Sequence, residues 1–122
     1  NHGRMRRDFT YVTDLVRAIR LLMDAVPGDS PVGPEDSLSP VAPHRVVNIG
    51  NGAPVELLDF IAAIEAATGR QAIRELMPMQ PGDVPATWAD TTLLRNLTDY
   101  APQTPVAEGV ARYVEWFRDY YG

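Results

Sequence analysis

The sequence predicts an α/β fold in which short strands and helices are mixed within a single domain. Short β-branched and aromatic runs alternate with segments whose apolar residues recur at the spacing of a helix face. The length of 122 residues suits one domain, and no internal repeat is visible. The predicted order is strand–helix–strand–helix–strand–strand–helix–helix.

The first strand and helix are predicted near the start of the chain. Phe9-Thr10-Tyr11-Val12 has the composition typical of a strand. Thr13 suits the cap of the following helix and Asp14 its first turn. Pro27-Gly28 is expected to end that helix. Its apolar stripe consists of Leu15, Ile19, Leu22, Met23 and Val26.

A proline-rich loop is predicted at residues 27–43, which contain five prolines among small and acidic residues. We expect this loop to be mobile and to separate a helix from a strand without dividing the chain into domains. Residues 45–49 predict a buried strand, and Gly50-Asn51-Gly52 predicts a turn. Pro54 suits the first position of the second helix, and Gly69 suits its end. The apolar face of that helix is Leu57, Leu58, Ile61 and Ile64.

The last third of the chain predicts two short strands and two helices. The strands are expected at residues 72–76 and 86–89. Asp90 suits the cap of a brief helix that carries Leu93, Leu94 and Leu97. Thr104 and Pro105 open the final helix, in which Glu108 and Arg112 are spaced for an ion pair. The apolar stripe of that helix is Val106, Val110, Val114, Phe117 and Tyr121.

Composition excludes several classes of function. A net charge of -5 and a pI of about 4.8 disfavour a nucleic-acid surface, and no apolar run suits a membrane span. The chain has no cysteine, and His2 and His44 do not suggest a metal site. No signal-peptide pattern is visible, so the expected location is cytoplasmic. All eleven basic residues are arginines, so this chain has neither a Tyr-x-x-x-Lys pair nor a P-loop lysine.

Two short runs predict half of a binding site. Arg4, Arg6 and Arg7 form the one local concentration of positive charge, which is either a solvated segment or an anion site, with Arg7 the favoured phosphate contact. In Gln80-Pro81-Gly82-Asp83-Val84, a Pro-Gly turn holds an aspartate that could accept hydrogen bonds from a pair of sugar hydroxyls. The alternative is a simple turn.

Gly50-x-Gly52 lacks the third glycine of a dinucleotide fingerprint, because position 55 is valine, so we predict a plain turn there.

Four segments, in order, carry a family resemblance. The segments 1–14, 48–57, 79–90 and 104–116 resemble the C-terminal part of NAD-dependent nucleotide-sugar epimerases of the extended short-chain dehydrogenase/reductase family. The third segment is closest to the UDP-glucuronate 4-epimerase branch. The resemblance implies that residues 1–122 form a single C-terminal substrate-binding lobe, a mixed α+β subdomain without the Rossmann domain.

The resemblance also implies roles for individual residues. Arg7 would meet the diphosphate of a UDP-sugar, and Asp83 its ribose hydroxyls, at opposite ends of one groove. Gln80 stands where some relatives carry arginine and would contact phosphate or ribose. NAD would be bound by the Rossmann domain of a parent enzyme, so no catalytic, cofactor-binding or metal-binding residue is expected here. Such a lobe would be inactive alone and would expose apolar surface, which could support a homo-oligomer.

Two alternatives remain open. The chain could be a free-standing, non-enzymatic interaction module. It could also be the corresponding lobe of a nucleotide-sugar decarboxylase or dehydratase. No nucleic-acid or membrane partner is expected in any of these cases.

Overall fold

The computed structural model contains four helices and one three-stranded sheet, and it describes all residues from 1 to 122. None of the helices is both long and apolar enough to cross a bilayer. In chain order the elements are β1 (Arg6–Arg7), α1 (Val12–Leu22), β2 (Val55–Glu56), α2 (Leu57–Thr68), β3 (Ala86–Thr87), α3 (Thr92–Thr98) and α4 (Val106–Tyr121). The predicted α/β class is therefore confirmed.

The sheet is small and has β1 at its centre, in the order β2-β1-β3. The β1–β2 pair is antiparallel and places Arg7 opposite Val55. The β1–β3 pair is parallel and places Arg7 opposite Thr87. Arg7 therefore lies on the central strand, where segments from three distant parts of the sequence meet.

The helices pack in two pairs, α2 with α4 and α1 with α3. At the entry to α1, Phe9 stacks on Phe60 of α2 with ring centroids 4.0 Å apart, and Tyr11 packs over Gly109 of α4. The apolar core is thin, because only 9 of 122 residues are buried. Its hydrophobic members are Ala18, Leu93, Leu94, Ala101, Val110 and Val114.

Several predicted helix boundaries are confirmed because local chemistry decides them. Gly69 ends α2 in the left-handed conformation, with φ of 72°. Pro105 directly precedes α4. At the start of α3 the cap position is Thr91 rather than the predicted Asp90, although the Asp90 carboxylate accepts a hydrogen bond from the backbone N–H of Thr92 at 2.9 Å. The ion pair between Glu108 and Arg112 is also present.

Other helix boundaries are corrected by the structure. Thr13 does not cap α1, which begins at Val12 after Tyr11, and α1 ends at Leu22 before the predicted stop at Pro27-Gly28. α2 begins at Leu57 rather than Pro54, because residues 55 and 56 pair with β1 instead.

Three strand predictions are wrong, and a fourth is right in part. The first strand is at Arg6–Arg7 rather than residues 9–12, because its pairing partners lie there and Phe9 turns away to stack on Phe60. Residues 45–49 and 72–76 form no strand, since no neighbouring strand within the chain pairs with them. Of residues 86–89, only Ala86 and Thr87 pair.

The first-turn aspartate of α1 joins that helix to the start of α4. One carboxylate oxygen of Asp14 accepts hydrogen bonds from the backbone N–H groups of Gln103, at 3.2 Å, and Thr104, at 2.9 Å. Burial raises the pKa of Asp14, but hydrogen bonds from Thr104, Gln103 and Tyr100 outweigh burial and hold the pKa below its ordinary value.

Two predicted apolar stripes are largely exposed. In α1 the fully buried residue is Ala18, whereas Ile19 and Met23 of the predicted stripe are 49% and 70% exposed. In α4 Val110 and Val114 are buried, but Phe117 is 47% exposed. The expectation that this chain exposes apolar surface is therefore confirmed.

The proline-rich loop contains no helix or strand, as predicted, but an internal ion pair restrains it. The Asp36 carboxylate accepts hydrogen bonds from Arg45 Nε at 2.9 Å and Nη2 at 3.0 Å, and from the backbone N–H groups of Val32 and Leu38. The Asp36 and Arg45 side chains are 0% and 6% exposed. The mobility expected from the proline content stays a prediction, and these bonds should limit it between residues 32 and 45.

We predict that D36N, or acid, releases this loop. Hydrogen bonds from Arg45, against the opposing effect of burial, hold the pKa of Asp36 below its ordinary value of 3.8. A lowered folded-state pKa means that the stabilisation is complete above the unfolded-state pKa and is lost as the pH falls below it. The amide resonances of Val32 and Leu38 should move as the pH falls below 3.8, and should be displaced in D36N already at neutral pH.

The matched control for this prediction is D29N, which alters an exposed acid of the same loop. It should leave both resonances in place. Unchanged Val32 and Leu38 resonances in D36N would contradict the assigned role of the Asp36–Arg45 pair.

Candidate functional site

Arg7 is held at two points at the centre of the sheet. Its Nη2 donates a hydrogen bond to Asp83 Oδ1 at 2.6 Å, and its Nη1 donates to the backbone carbonyl of Arg6 at 2.8 Å. The Arg7 side chain is 26% exposed. The remaining N–H groups of the guanidinium make no hydrogen bond within the chain, so they are available to an anion.

Asp83 lies at the end of a glycine-containing turn. Gly82 has φ of +85°, a conformation that L side chains rarely adopt, and the Asp83 N–H donates to the Gln80 carbonyl at 3.2 Å. Asp83 Oδ1 also accepts a hydrogen bond from the Val84 N–H at 2.8 Å, whereas Oδ2 accepts none. The carboxylate therefore keeps one oxygen free to accept hydrogen bonds.

The structure brings Arg7 and Asp83 into direct contact, so the expectation that they lie at opposite ends of a groove is wrong. The cause is the parallel pairing of β1 with β3, which places Arg6 opposite Ala86 and brings the turn before β3 alongside β1. The Arg6 N–H donates to the Pro85 carbonyl at 2.9 Å and tightens this approach. Arg7 and Asp83 are 76 positions apart in the sequence. No pattern along the chain indicates the strand register that brings them together.

A groove of about 640 Å³ adjoins the pair and runs between α2 and residues 70–80. Gln80 and Asp83 line it, so the structure brings these two predicted site residues together. Arg7 is not among the lining residues and borders the groove through Asp83. Glu65 and Arg74, which sequence reasoning did not single out, form an ion pair of 2.7 Å in the groove wall.

The other two arginines of the basic cluster do not join the site. Arg6 Nε is 2.6 Å from Glu56 Oε1, and both side chains are largely exposed. Arg4 is exposed and makes no side-chain hydrogen bond. Of the three arginines, Arg7 is the one that borders the groove.

Asp8 is the structural residue that sequence reasoning missed. Its Oδ1 accepts a hydrogen bond from the Asn51 N–H at 3.0 Å, and its Oδ2 accepts from the Gly52 N–H at 2.9 Å and the Ala89 N–H at 3.1 Å. It ties the end of β1 to two distant segments and so supports the neighbouring Arg7. The one sequence signal was an aspartate adjacent to Arg7, because its partners are backbone N–H groups, which every residue except proline carries.

This network also explains the two glycines of the predicted turn. A Cβ on Gly50 would lie 2.6 Å from Ala89 Cβ and 2.7 Å from Asp8 Oδ2, and Gly52 has φ of +69°. The turn leads into β2 rather than directly into a helix. Gly50 and Gly52 therefore have a structural role in the link between Asp8 and Ala89.

We predict that G50A destabilises the protein by about 1–3 kcal/mol, because a methyl group forces Asp8 and Ala89 apart. Urea unfolding measures the change. G28A is the control, since a Cβ there meets nothing within 4 Å, and it should be close to neutral. Equal stability of the two variants would show that Gly50 is not needed for this close approach.

Comparisons with known proteins identify relatives for the whole chain. No protein-family model matches it. It is 51% identical over 123 residues to a probable UDP-glucuronate 4-epimerase of Rhizobium meliloti, an alignment that covers 98% of this chain and 36% of the relative. The chain thus spans about a third of the length of that curated relative.

Solved structures match the fold. A UDP-glucose 4-epimerase from Thermotoga maritima, solved with UDP-glucose, superposes with a TM-score of 0.76 at 26% identity, over 100% of this chain and 34% of that one. The protein MoeE5, solved with UDP-glucuronic acid and NAD, gives a TM-score of 0.72 at 28% identity, over 97% of this chain and 35% of that one. In sequence the chain is similar to about a third of a probable UDP-glucuronate 4-epimerase, and in fold it matches the C-terminal part of solved UDP-sugar epimerase structures.

Proposed function

We propose that this chain is the UDP-sugar-binding lobe of an NAD-dependent nucleotide-sugar epimerase that acts on UDP-glucuronate. The observation that carries the proposal is the Arg7–Asp83 pair at the edge of a groove, in a chain 51% identical to a probable UDP-glucuronate 4-epimerase. A guanidinium beside a carboxylate offers donors for phosphate and an acceptor for hydroxyl groups.

The contact between Arg7 and Asp83 suits the part of a nucleotide where the ribose joins the phosphate. In a nucleoside diphosphate the ribose and the first phosphate are covalently adjacent, so one compact pair of charges can meet both. We assign the free N–H groups of Arg7 to the diphosphate and the free Oδ2 of Asp83 to the ribose hydroxyls. Gln80, in the same groove, carries an amide that can donate to phosphate or accept from ribose.

We propose that the NAD site lies outside this chain. The N–H groups of Asn51 and Gly52, which could have faced a pyrophosphate, already donate to Asp8. The chain also contains no lysine to pair with a tyrosine. We therefore propose that the rest of a parent protein binds NAD and performs the hydride chemistry, and that this lobe binds and orients the nucleotide.

The parent protein tests this proposal. It should convert UDP-glucuronate to its 4-epimer, and the 122-residue chain alone should not turn over substrate. R7Q in the parent should lower kcat/KM by about tenfold or more, because charge-assisted hydrogen bonds to the diphosphate are lost. R20Q is the matched control, since Arg20 of α1 forms an exposed ion pair with Asp24, which lies just beyond that helix.

Each alternative has its own outcome in that assay. Release of carbon dioxide from UDP-glucuronate would identify a decarboxylase, and loss of water from the sugar a dehydratase. A parent that binds no UDP-sugar would favour the non-enzymatic interaction module.

We also propose that the exposed apolar faces are covered in the parent protein. On α4, Trp116 and Tyr120 are 50% and 70% exposed, and their rings stack with centroids 5.5 Å apart. A second groove of about 840 Å³ lies between residues 9–12, α2 and α4, and includes Phe9 and Phe117 in its lining. Apolar surface of this extent on an isolated chain is typical of an interface.

The isolated chain should therefore self-associate as its concentration rises. Sedimentation velocity measures this directly. Replacing Trp116 and Tyr120 by serine should shift the chain towards monomer, whereas replacing the exposed Val41 of the proline-rich loop should not. A wild-type chain that stays monomeric at high concentration would contradict the expectation.

A further inference from the structure

The proposed site carries a carboxylate where an anion site would be expected to carry only positive charge. Asp83 Oδ1 lies 2.6 Å from Arg7 Nη2, and the two side chains are 36% and 26% exposed. The pair is therefore reached by solvent and by dissolved ions. Its formal charges cancel, and the whole chain carries a net charge of -5.

A bare anion that approaches Arg7 meets an unfavourable contact. It must share the guanidinium with a carboxylate that is already hydrogen-bonded to it, and the two negative charges repel each other. Inorganic pyrophosphate has no sugar hydroxyls with which to offset that repulsion. Specificity often comes from such a built-in penalty against the wrong ligand.

A nucleoside diphosphate can offset the same penalty. Asp83 Oδ2 makes no hydrogen bond in the chain, so it can accept from the paired hydroxyls of a ribose while Oδ1 stays on Arg7. We propose that Asp83 is a specificity-determining residue, which makes the Arg7 site select nucleoside diphosphates over inorganic phosphates. This inference rests on the proposed function and adds to it a reason for the rejection of bare anions.

Two roles of Asp83 can be distinguished, the repulsion of bare anions and the positioning of the Arg7 side chain. Arg7 is held without Asp83, because its Nη1 donates to the Arg6 carbonyl and its backbone pairs with strands on both sides. Neutralising Asp83 should therefore leave the guanidinium near its present place while removing the repulsion. A purely structural role would instead weaken the binding of every ligand.

The test is a titration of the 122-residue chain with pyrophosphate, uridine and UDP, followed through the backbone amide resonances of residues 7, 8, 83 and 84. D83N should bind pyrophosphate about two- to fivefold more tightly than the wild type. It should bind UDP about tenfold more weakly and lose the response to uridine. D83S should change the three affinities in the same directions.

D24N is the matched control. It changes the net charge by the same amount and frees Arg20 from an exposed partner, yet Asp24 lies outside the groove. It should leave all three affinities unchanged, which separates the local effect of Asp83 from the charge of the whole molecule.

The outcomes distinguish the two proposals. If pyrophosphate binds D83N and D83S no more tightly than the wild type, with the amide spectra still those of a folded chain, Asp83 is not an anion filter. If the wild type binds neither UDP nor uridine, the proposed nucleotide site is wrong, and the pyrophosphate comparison still decides whether Asp83 repels anions at Arg7.

Discussion

The Asp8 carboxylate organises the centre of this protein by binding the backbone of two distant segments. It accepts three N–H hydrogen bonds, from Asn51, Gly52 and Ala89, at 2.9–3.1 Å. The strand that precedes it has only two residues, so its ladder bonds alone give little resistance to slippage. Arg7 and the turn that carries Asp83 are positioned next to this junction, and the proposed site depends on it.

The same arrangement of a carboxylate on backbone N–H groups recurs elsewhere in the chain. Asp14 holds the start of α4, Asp36 holds the proline-rich loop, and Glu65 accepts a hydrogen bond from the Ala72 N–H at 2.9 Å. The thin core explains the need, because few segments are fixed by burial. Hydrogen bonds and ion pairs also lower the pKa of Asp36 and Glu65, so these links are strongest in the ionised state and weaken in acid.

Local sequence signals were reliable where the chemistry itself is local. A left-handed glycine at 69, a proline before α4 and an ion pair of Glu108 with Arg112 each involve neighbours within one helical turn. Strands were predicted poorly because a strand exists only when another strand pairs with it. Residues 45–49 have the composition of a strand, yet nothing in this chain pairs with them. The predicted apolar stripes of α1 and α4 mark surfaces that this chain leaves largely uncovered.

The amino-acid pattern alone established the fold class and the family resemblance, and it singled out the two side chains that we propose bind a nucleotide, Arg7 and Asp83. Three facts follow from the three-dimensional arrangement: these residues touch, Gln80 shares the groove with Asp83, and Asp8 supports the neighbouring Arg7. Each residue type carries its own side-chain chemistry, whereas the distance between two remote residues depends on strand register. A parallel pairing between positions 6 and 86 leaves no periodic pattern along the chain.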